Sequence, residues 1–583
     1  MKFEKGSDGS YKIAGGMRRR LILNVLAFAV MLYTLFFLFS ACRASIRGMH
    51  IPNEYREPAN FDLTLSFING INPYALDSIG KEVPGMVYQY GPLFSLLVAG
   101  LHFVLPFVDI FALHYLVAFL CIIIAAFMAA LIAYENSESL LPAASVFLFT
   151  IACTWRYGYI NAVPDTLGVT LLVLVFFLET RKKLPGKEYL EAAVAVALFY
   201  TKQYFVIIAL SLFIYKLITD RKAWIRLSIS GIAMLVISMV IVNHTCPLYF
   251  TYSILIAHGV AGQSVADPIF SEGRAVSPAP DLFEVSAVTA DPGADEGIPP
   301  TGWGFELFQL KSLVSIFLFV FAGMIAGVAE AFIRKMPRFT GSRLFVIHSA
   351  VAFAALLFLG QNDGAWLSYY LELLLPSVVI YSFISIEKSV MSEDGGKIYR
   401  RLCTVLMIFM VMYTSYRMDS RLPYYDKDES SLQAWERAYR ICDIYAERGD
   451  VLYRAPLGVN ALASGRYLYD SGHEMAIHQR FLNEYNETAL YRTLFPYAGR
   501  VMQQHIDYRK EMKRKVEDHE YSLVMITAPD SDLEELVDVS DVEAAGYTRL
   551  DTITLDMGWA SCDVDLWVIE TEEAIVLEST EQV

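Results

Sequence analysis

The sequence has few of the residues that build disulfide frameworks or structural zinc sites. It contains seven cysteines in 583 residues, with neither CxxC spacing nor a cluster of cysteine and histidine. This distribution argues against a disulfide scaffold and against a structural zinc site. Cys442 and Cys562 can pair only if their part of the chain faces an oxidising compartment and their geometry permits the bond.

Two other kinds of site are missing from the sequence. No glycine-rich loop of the nucleotide-binding type is visible, and no group of residues has the spacing of metal ligands. We therefore expect a protein without a metal ion, without a bound cofactor and without a nucleic-acid partner.

Long apolar runs dominate what is present. Hydrophobic residues make up 55% of the chain, with 35 Tyr and 37 Phe, and runs near 20 residues recur, about the length that spans a bilayer as a helix. The run that begins "MRRRLILNVLAF" at Met17 is longer than the apolar part of a signal peptide, about 7–15 residues. We predict a mainly α, polytopic membrane protein with about 11–13 transmembrane helices in 21–416, after a cytoplasmic tail of residues 1–20.

Basic residues indicate the orientation. They collect in short gaps between apolar runs, at 181–187, 216–226, 333–343 and 397–401, which the positive-inside rule assigns to the cytoplasm. Loops 43–91 and 244–305 then lie outside, and so does 417–583, whose mixed helical and strand patterns predict an extracytoplasmic α/β domain. Between 93 and 180 the parity fails if all four apolar runs cross. We expect that one of them enters without crossing, or that two of them share a span.

The first outer loop carries two acids beside an apolar stripe. In "EPANFDLTLSFING" the residues Phe61, Leu65 and Ile68 have helical spacing and Gly70 is a stop signal. A short helix in the membrane interface would hold Glu57 and Asp62 at the outer surface. Acids in outer loops are also common as solvated side chains.

Ionisable residues interrupt several apolar runs. Lys202 and Gln203 separate two runs, Asp165 follows Pro164 at a helix start, and Glu372 lies inside a run near Tyr369. An ionisable residue within a membrane is a candidate functional residue. Each of these residues also has a purely structural explanation. Lys202 could extend its side chain to the membrane interface, Asp165 could stabilise a helix start, and the tyrosines could anchor a helix at the interface.

Taken in order, these segments resemble the GT-C superfamily of glycosyltransferases, most nearly its protein O-mannosyltransferase and lipid A aminoarabinose transferase group. The matching pieces are the first-loop acid Glu57, "GINPY" at 70–74, "YQYGPL" at 88–93, "VPD" at 163–165, "TKQ" at 201–203 and "GAWLSYYLE" at 364–372. Three positions depart from the pattern: Glu57 where Asp is frequent, Val163 where Arg is usual and Ser368 where Asn is usual. A "WWD" motif of oligosaccharyltransferases is not found in the sequence.

The resemblance implies a polyprenyl-phosphate-linked sugar donor and a glycan, lipid or protein acceptor at the outer face of the cell membrane. It implies an inverting reaction with Glu57 as the base and Asp62 as its helper or substitute. The donor-binding residues that it implies are Lys202, Gln203, Asp165, Tyr88, Tyr90, Tyr369 and Glu372.

Other functions stay open on the sequence alone. A transporter or flippase would line a path with Lys202, Asp165 and Glu372, and inverted repeats would support it, but we find none. A glycan polymerase or ligase of another fold would carry its main outer loop late in the membrane part. A membrane scaffold with a partner-binding outer domain would not explain the ionisable residues in its helices.

Overall fold

The computed structural model describes most of the membrane part and much of the C-terminal domain. The described residues are 3–5, 11–13, 15–52, 57–76, 90–157, 162–181, 184–256, 303–334, 339–362, 369–391, 405, 408–409, 412, 429–453, 457–463, 495–527, 537, 539–556 and 561–569. Most of the predicted outer loop 244–305 and of the apolar run 399–416 lies outside these residues.

A short antiparallel hairpin of β1 (Phe3–Lys5) and β2 (Tyr11–Ile13) precedes the helices. The membrane part then contains α1 (Gly15–Arg47), α2 (Glu57–Ile68), α3 (Leu93–Val104), α4 (Ile110–Ser137), α5 (Leu140–Tyr157), α6 (Asp165–Thr180), α7 (Lys187–Thr201), α8 (Ile207–Thr219), α9 (Arg221–Thr245), α10 (Trp303–Arg334), α11 (Ser342–Asn362) and α12 (Leu375–Met391). A 3₁₀ turn (Gln203–Val206) precedes α8, and π-helical turns lie at Thr251–Ile256 and Tyr370–Leu374.

The prediction of a mainly α, multi-pass membrane protein is confirmed. Within the described residues, four segments are long and apolar enough to cross a membrane, and five shorter apolar helices accompany them. Helices α1 and α9 expose large apolar side chains, such as Phe36 at 71% and Ile229 at 66%, as helices that face hydrocarbon do. The segment Tyr370–Lys388 is instead fully buried. It forms the centre of the bundle, against α5, α10 and α11.

Helix α3 is the shortest helix in the described part of the region between 93 and 180. It has 12 residues, a length of about 18 Å at 1.5 Å per residue, whereas the hydrocarbon core is about 30 Å thick. If α3 does not cross, α4, α5 and α6 alternate in direction across the membrane. The C-terminal ends of α4 and α6 meet at one face. There Arg181 and Glu135 form an ion pair of 2.5 Å.

The opposite face gathers the first loop and the helix ends that follow it. Asn72 donates a hydrogen bond to the carbonyl of Thr245, at 2.6 Å, and Leu248 N donates to the carbonyl of Tyr74, at 3.0 Å. Helix α2 ends before Gly70, whose φ of 73° is the left-handed conformation that glycine adopts without strain. The predicted helix and its stop are therefore present.

The C-terminal part contains both helices and strands. They are α13 (Glu429–Ala446), β3 (Asp450–Leu452), α14 (Gly458–Ala463), α15 (Ala498–Glu517), β4 (Tyr521–Thr527), α16 (Val539–Ala544), β5 (Tyr547–Asp556) and β6 (Ser561–Ile569). Their sheet has the order β3-β4-β6-β5, with β3 parallel to β4 and the other pairs antiparallel. Cys442 is buried in α13. The side chain of Cys562 lies outside the described part, so its pairing with Cys442 stays a prediction.

This domain rests on the face that carries the first loop. The Tyr439 hydroxyl of α13 donates a hydrogen bond to the carbonyl of His50, and α14 packs against α2. The C-terminal domain therefore lies directly over the helix that begins with Glu57.

Candidate functional site

Lys202 lies at a break between two helices. Helix α7 ends at Thr201, and Lys202 has an extended backbone (φ −158°, ψ 125°) before the 3₁₀ turn begins. Its side chain is 2% exposed and forms an ion pair with the Asp165 carboxylate. A snorkelling lysine would reach polar surroundings, whereas this one is held inside the protein.

Three tyrosine rings surround the ammonium group of Lys202. The Nζ atom lies 4.7 Å from the ring centroid of Tyr90, 5.0 Å from that of Tyr204 and 5.5 Å from that of Tyr369. The faces of aromatic rings attract a cation within about 6 Å. A carboxylate and three ring faces thus fix the position of one positive charge.

Two glycines permit this arrangement. A Cβ atom on Gly91 would lie 1.8 Å from the carbonyl oxygen of Tyr200, so only glycine lets the segment that carries Tyr90 approach the end of α7. A Cβ atom on Gly168 would lie 2.2 Å from the ring of Phe205. Gly168 therefore lets the first turn of α6 and the 3₁₀ turn come together, which joins Asp165 to Lys202.

Glu372 lies in the same cluster. It is part of the π-helical turn Tyr370–Leu374, its side chain is 1% exposed, and it accepts a hydrogen bond from the Tyr204 hydroxyl. Its carboxyl group also interacts electrostatically with Asp165 and Lys202. Interruptions of this kind in helices are frequent at functional sites.

A histidine of α11 forms a hydrogen bond to the π-helical turn. His348 of α11 is buried, with Nε2 3.0 Å from the carbonyl oxygen of Leu373 and Nδ1 3.0 Å from the Ser211 hydroxyl. A carbonyl oxygen only accepts, so Nε2 carries the hydrogen. His348 therefore satisfies a carbonyl next to Glu372.

Glu57 is buried at the start of α2. It is 0% exposed, and its Oε2 accepts a hydrogen bond from the Tyr115 hydroxyl of α4, at 2.9 Å. Its Oε1 accepts from the backbone N–H of Ala162, at 2.8 Å. Asp62, one turn further on, is also 0% exposed. Neither acid is a solvated loop side chain.

Glu57 and the Lys202 cluster meet through one short segment. Ala162, held by Glu57, is three residues before Asp165, which binds Lys202. A trans peptide chain advances at most about 3.8 Å per Cα step, so the two anchored Cα atoms are at most about 11 Å apart. The structure brings together the predicted residues Glu57, Asp165, Lys202, Tyr90, Tyr369 and Glu372.

Two predicted residues are placed differently or not described. Gln203 donates a hydrogen bond to the carbonyl of Ser253, at 2.8 Å, so it ties the turn at 251–256 to the site. Tyr88 lies outside the described residues. Sequence reasoning missed Tyr115, Tyr204 and His348, of which only Tyr204, next to the "TKQ" segment, could have been found from a motif.

The site offers a fixed cation, buried carboxyls and aromatic surfaces. Among the described residues, no group of three or more His, Cys, Asp or Glu side chains could hold a metal ion. The chemistry that the described side chains can perform is proton transfer by a carboxylate and stabilisation of an anion by Lys202.

Comparison with known proteins gives distant similarities. No family model matches the sequence, and the curated proteins give no match. ArnT of Cupriavidus metallidurans bound to undecaprenyl phosphate is 13% identical, with 93% of this chain and 97% of that chain covered and a TM-score of 0.49. The same protein in the apo state is 12% identical, with the same coverage and TM-score.

The oligosaccharyltransferase AglB of Archaeoglobus fulgidus, in complex with an inhibitory peptide and a dolichol-phosphate, is also similar. It is 10% identical, with 85% of this chain and 69% of that chain covered and a TM-score of 0.43. At these identities and TM-scores, nothing about substrate or mechanism follows from the similarity.

Proposed function

We propose that the protein is a membrane glycosyltransferase of the GT-C type. It moves a hexosyl or pentosyl group from a polyprenyl-phosphate donor to a glycan, lipid or protein acceptor at the outer face of the cell membrane. The observation that carries the proposal is the buried Lys202 ammonium, held by Asp165 and three tyrosine rings. The segment 162–165 connects it to the buried carboxylate of Glu57.

Lys202 is suited to the phosphate of the donor. A lysine is a compact positive charge that binds phosphate without fixed geometry. As the bond between the sugar and the phosphate breaks, negative charge builds on the phosphate, and a nearby cation in a low-dielectric site stabilises that charge strongly. Tyr90, Tyr204 and Tyr369 would flank the phosphate and the first apolar part of the lipid.

Glu57 is the proposed general base. It removes the proton of an acceptor hydroxyl as the hydroxyl oxygen attacks the sugar carbon from the side opposite the phosphate, which inverts that carbon. The Tyr115 hydroxyl and the Ala162 N–H fix its two oxygens, a support that positions a reactive group. Asp62 is the helper or the alternative base.

The C-terminal domain is proposed to be extracytoplasmic and to contribute to acceptor binding. Its helix α14 packs on α2, and Tyr439 of α13 bonds to His50. An acceptor that approaches Glu57 from outside would pass this domain.

The test is transfer by the purified, lipid-reconstituted protein from polyprenyl phosphates that carry radiolabelled sugars. Release of lipid phosphate is expected for one donor of the panel. Lys202→Met should reduce turnover by about 10²–10³-fold, the typical cost of one transition-state electrostatic contact. Lys187→Met, which removes a half-buried lysine at the other end of α6, is the control. Full activity of Lys202→Met would contradict the proposal.

A transporter or flippase is the second candidate, because α6 carries a second buried charge cluster at its other end. There Glu179 binds Lys216 and, at 3.0 Å, Lys187. Charged groups at both ends of a helix are compatible with a path across the membrane. Movement of an unchanged lipid phosphate across proteoliposomes, without cleavage of any donor, would favour this candidate.

A further inference from the structure

The segment "GINPY" at 70–74 ends α2 in a fixed turn. Ile71 N donates to the carbonyl of Ser66, at 2.8 Å, and Gly70 supplies the left-handed conformation that this helix ending requires (φ 73°). The side-chain oxygen of Asn72 accepts a hydrogen bond from Tyr74 N, at 3.1 Å, in the local turn that asparagine favours. The Asn72 amide group therefore has an orientation that its own backbone sets.

The same segment binds the end of α9, 173 residues further along the chain. Asn72 Nδ2 donates to the carbonyl of Thr245, the last residue of α9, at 2.6 Å. The last four carbonyls of a helix have no partner inside it, so Asn72 satisfies one of them. Leu248 N donates to the carbonyl of Tyr74, at 3.0 Å. Two hydrogen bonds thus attach residues 245–248 to the end of α2.

Buried tyrosine rings extend this contact toward the donor site. The Tyr74 ring packs on Tyr249, with 5.7 Å between ring centroids, and Tyr249 packs on Tyr200, at 5.6 Å. All three side chains are buried. Tyr200 is the residue of α7 whose carbonyl oxygen Gly91 approaches. The rings therefore pack the segment 70–74 against the end of α7.

A hydrogen bond leads from the same region to Lys202. The turn Thr251–Ile256 presents the carbonyl of Ser253 to Gln203 Nε2, at 2.8 Å, and Gln203 follows Lys202 directly in the chain. Residues 245–253 thus join the end of α2 to the helix break that holds Lys202.

These contacts form a closed ring that contains α2 and Lys202. One arm, residues 162–165, joins the start of α2 to Lys202. The other arm, residues 245–253, joins the end of α2 to Gln203. A helix held at one end can pivot about that point, whereas a helix held at both ends cannot. Loss of the second arm is therefore expected to release α2 and the residues next to Lys202 together.

We propose that Asn72 is a positioning residue for the donor-phosphate site. It acts through residues 245–253 and Gln203, which hold the break at Lys202 in the form that binds an anion. The inference rests on the proposed function, because Lys202 is the proposed phosphate ligand. An asparagine that only capped α9 would stabilise the bundle and leave the recognition of phosphate unchanged.

The first experiment compares the full-length variants Asn72→Asp and Asn136→Asp in nanodiscs. Asn72→Asp keeps the acceptor for Tyr74 N, but its carboxylate has no hydrogen to donate to Thr245. Asn136 also donates its amide to a carbonyl near a helix end, that of Ile132 in α4, at 2.8 Å, so it is the matched control. The readout is the ratio of the affinities for undecaprenyl phosphate and undecaprenol, which isolates the contribution of the phosphate.

The two variants should differ in this ratio. Asn72→Asp should lower it by about three- to tenfold, the range for the loss of one hydrogen bond, and Asn136→Asp should leave it unchanged. Both should lower the thermal midpoint, because each removes a contact at a helix end. Lower midpoints with an unchanged ratio in both variants would reduce Asn72 to a cap of α9 and overturn the proposal.

A second variant tests the same contact without an added charge. The Cys246 sulfur lies 3.8 Å from the Asn72 side-chain oxygen, so Asn72→Cys places a thiol next to Cys246. Oxidised glutathione takes up two hydrogens and two electrons as the disulfide forms, and dithiothreitol reverses the reaction. The reduced variant should show the lowered ratio, and the oxidised variant a ratio within about twofold of the wild type. Asn72→Cys combined with Cys246→Ser should stay low under both conditions.

The outcomes separate this inference from the proposed function. If the wild type prefers undecaprenyl phosphate to undecaprenol and neither Asn72 variant changes the ratio, Asn72 does not position Lys202 and the phosphate site stands. If the wild type binds both lipids equally, the phosphate site is wrong and this inference fails with it. Formation of the disulfide without recovery of the ratio would also overturn the proposal. Where no disulfide forms, the comparison of Asn72→Asp with Asn136→Asp decides.

Discussion

Glu57 and Lys202 hold opposite ends of the same four residues, 162–165. Glu57 accepts a hydrogen bond from the N–H of Ala162, at 2.8 Å, and Lys202 pairs with Asp165. The proposed base and the proposed phosphate-binding cation are thus joined by a segment that contains Pro164, whose ring restricts its backbone. A displacement at either end is expected to move the other, so donor binding and base position are coupled.

Gly91→Ala should disturb the cation site through the backbone. The added Cβ would lie 1.8 Å from the Tyr200 carbonyl oxygen, so the segment has to move and the Tyr90 ring leaves Lys202. We expect the Kd for undecaprenyl phosphate to rise at least tenfold, together with a lower thermal midpoint. The control is Gly100→Ala in α3, where a Cβ would meet nothing within 4 Å and alanine favours the helix. Equal affinities of the two variants would contradict this picture of the site.

Tyr115→Phe should change the pH dependence of turnover. The lost hydroxyl stabilises the ionised form of Glu57, and hydrogen bonds to charged groups contribute about 1.5–3 kcal/mol. The acid limb of the pH–rate profile is therefore expected to move to higher pH by about one unit, since one unit corresponds to about 1.4 kcal/mol.

The matched control for Tyr115→Phe is Tyr215→Phe. Tyr215 donates to Glu179, also at 2.9 Å and also buried, at the other end of α6. The Tyr215→Phe substitution should lower the stability of the protein by a similar amount and leave the pH–rate profile unchanged. A profile that is unmoved in Tyr115→Phe would show that Glu57 is not the group that titrates in turnover.

His348 should affect binding of the lipid-linked sugar donor, because it positions the π-helical turn that carries Glu372. His348→Ala removes the donor to the carbonyl of Leu373, and a buried unsatisfied group costs about 1–3 kcal/mol. The π-helical turn is then expected to move, and Glu372 with it. This displacement should raise the KM for the lipid-linked sugar donor more than it lowers kcat. His348→Gln, which can present an N–H in the place of Nε2, should restore much of the KM.

The neighbour Ser349 provides the comparison for His348. Its hydroxyl bonds to the Phe345 carbonyl and to Ser377, which donates to the carbonyl of Leu374. Ser349 reaches 370–374 only through Ser377, so Ser349→Ala should change the KM much less than His348→Ala. If His348→Ala and Ser349→Ala lower stability alike and neither alters the KM, His348 only stabilises the bundle.

Much of the fold follows from local patterns in the sequence. Apolar runs predict the helices because burial in a bilayer requires length and composition that a run displays directly. Lys202, Asp165 and Glu372 stand out because an ionisable side chain in an apolar run is costly. The strand β5 was missed, although Ile553 and Leu555 alternate with polar residues in "TRLDTITLD", as in a half-buried strand.

The remaining features depend on contacts between distant parts of the chain. Nothing near Tyr115 in the sequence indicates that its hydroxyl meets Glu57, 58 residues away. The burial of Glu57 and Asp62 arises because α2 packs under α14 of the C-terminal domain and against α3. The sequence predicted the helix and its acids, but not what covers them.

The sidedness prediction can be checked by labelling with an impermeant maleimide. Arg440 and Asn69 are exposed, and so is Lys222 at the start of α9. Cysteines at 440 and 69 should label in intact cells, and a cysteine at 222 only after permeabilisation. The reverse labelling pattern would show that the protein has the opposite orientation in the membrane. Different results at 69 and 440 would contradict the packing of the C-terminal domain on α2.

The last prediction separates the two candidate bases. Glu57→Gln keeps the size of the side chain but cannot accept a proton at neutral pH, so turnover should fall by about 10²–10⁴-fold, the typical loss for a general base. The affinity for undecaprenyl phosphate, which depends on Lys202 and the tyrosine rings, should change by less than about threefold, or about 0.65 kcal/mol. Asp62→Asn, equally buried on the same helix, is the comparison.

The pattern of the two variants decides the assignment. Loss of turnover in Glu57→Gln with binding retained supports Glu57 as the base and Asp62 as its helper. Normal turnover in Glu57→Gln with an inactive Asp62→Asn would transfer the role to Asp62, one turn further along α2. If both variants retain activity, no acid of α2 is the base and the inverting mechanism proposed for this site is wrong.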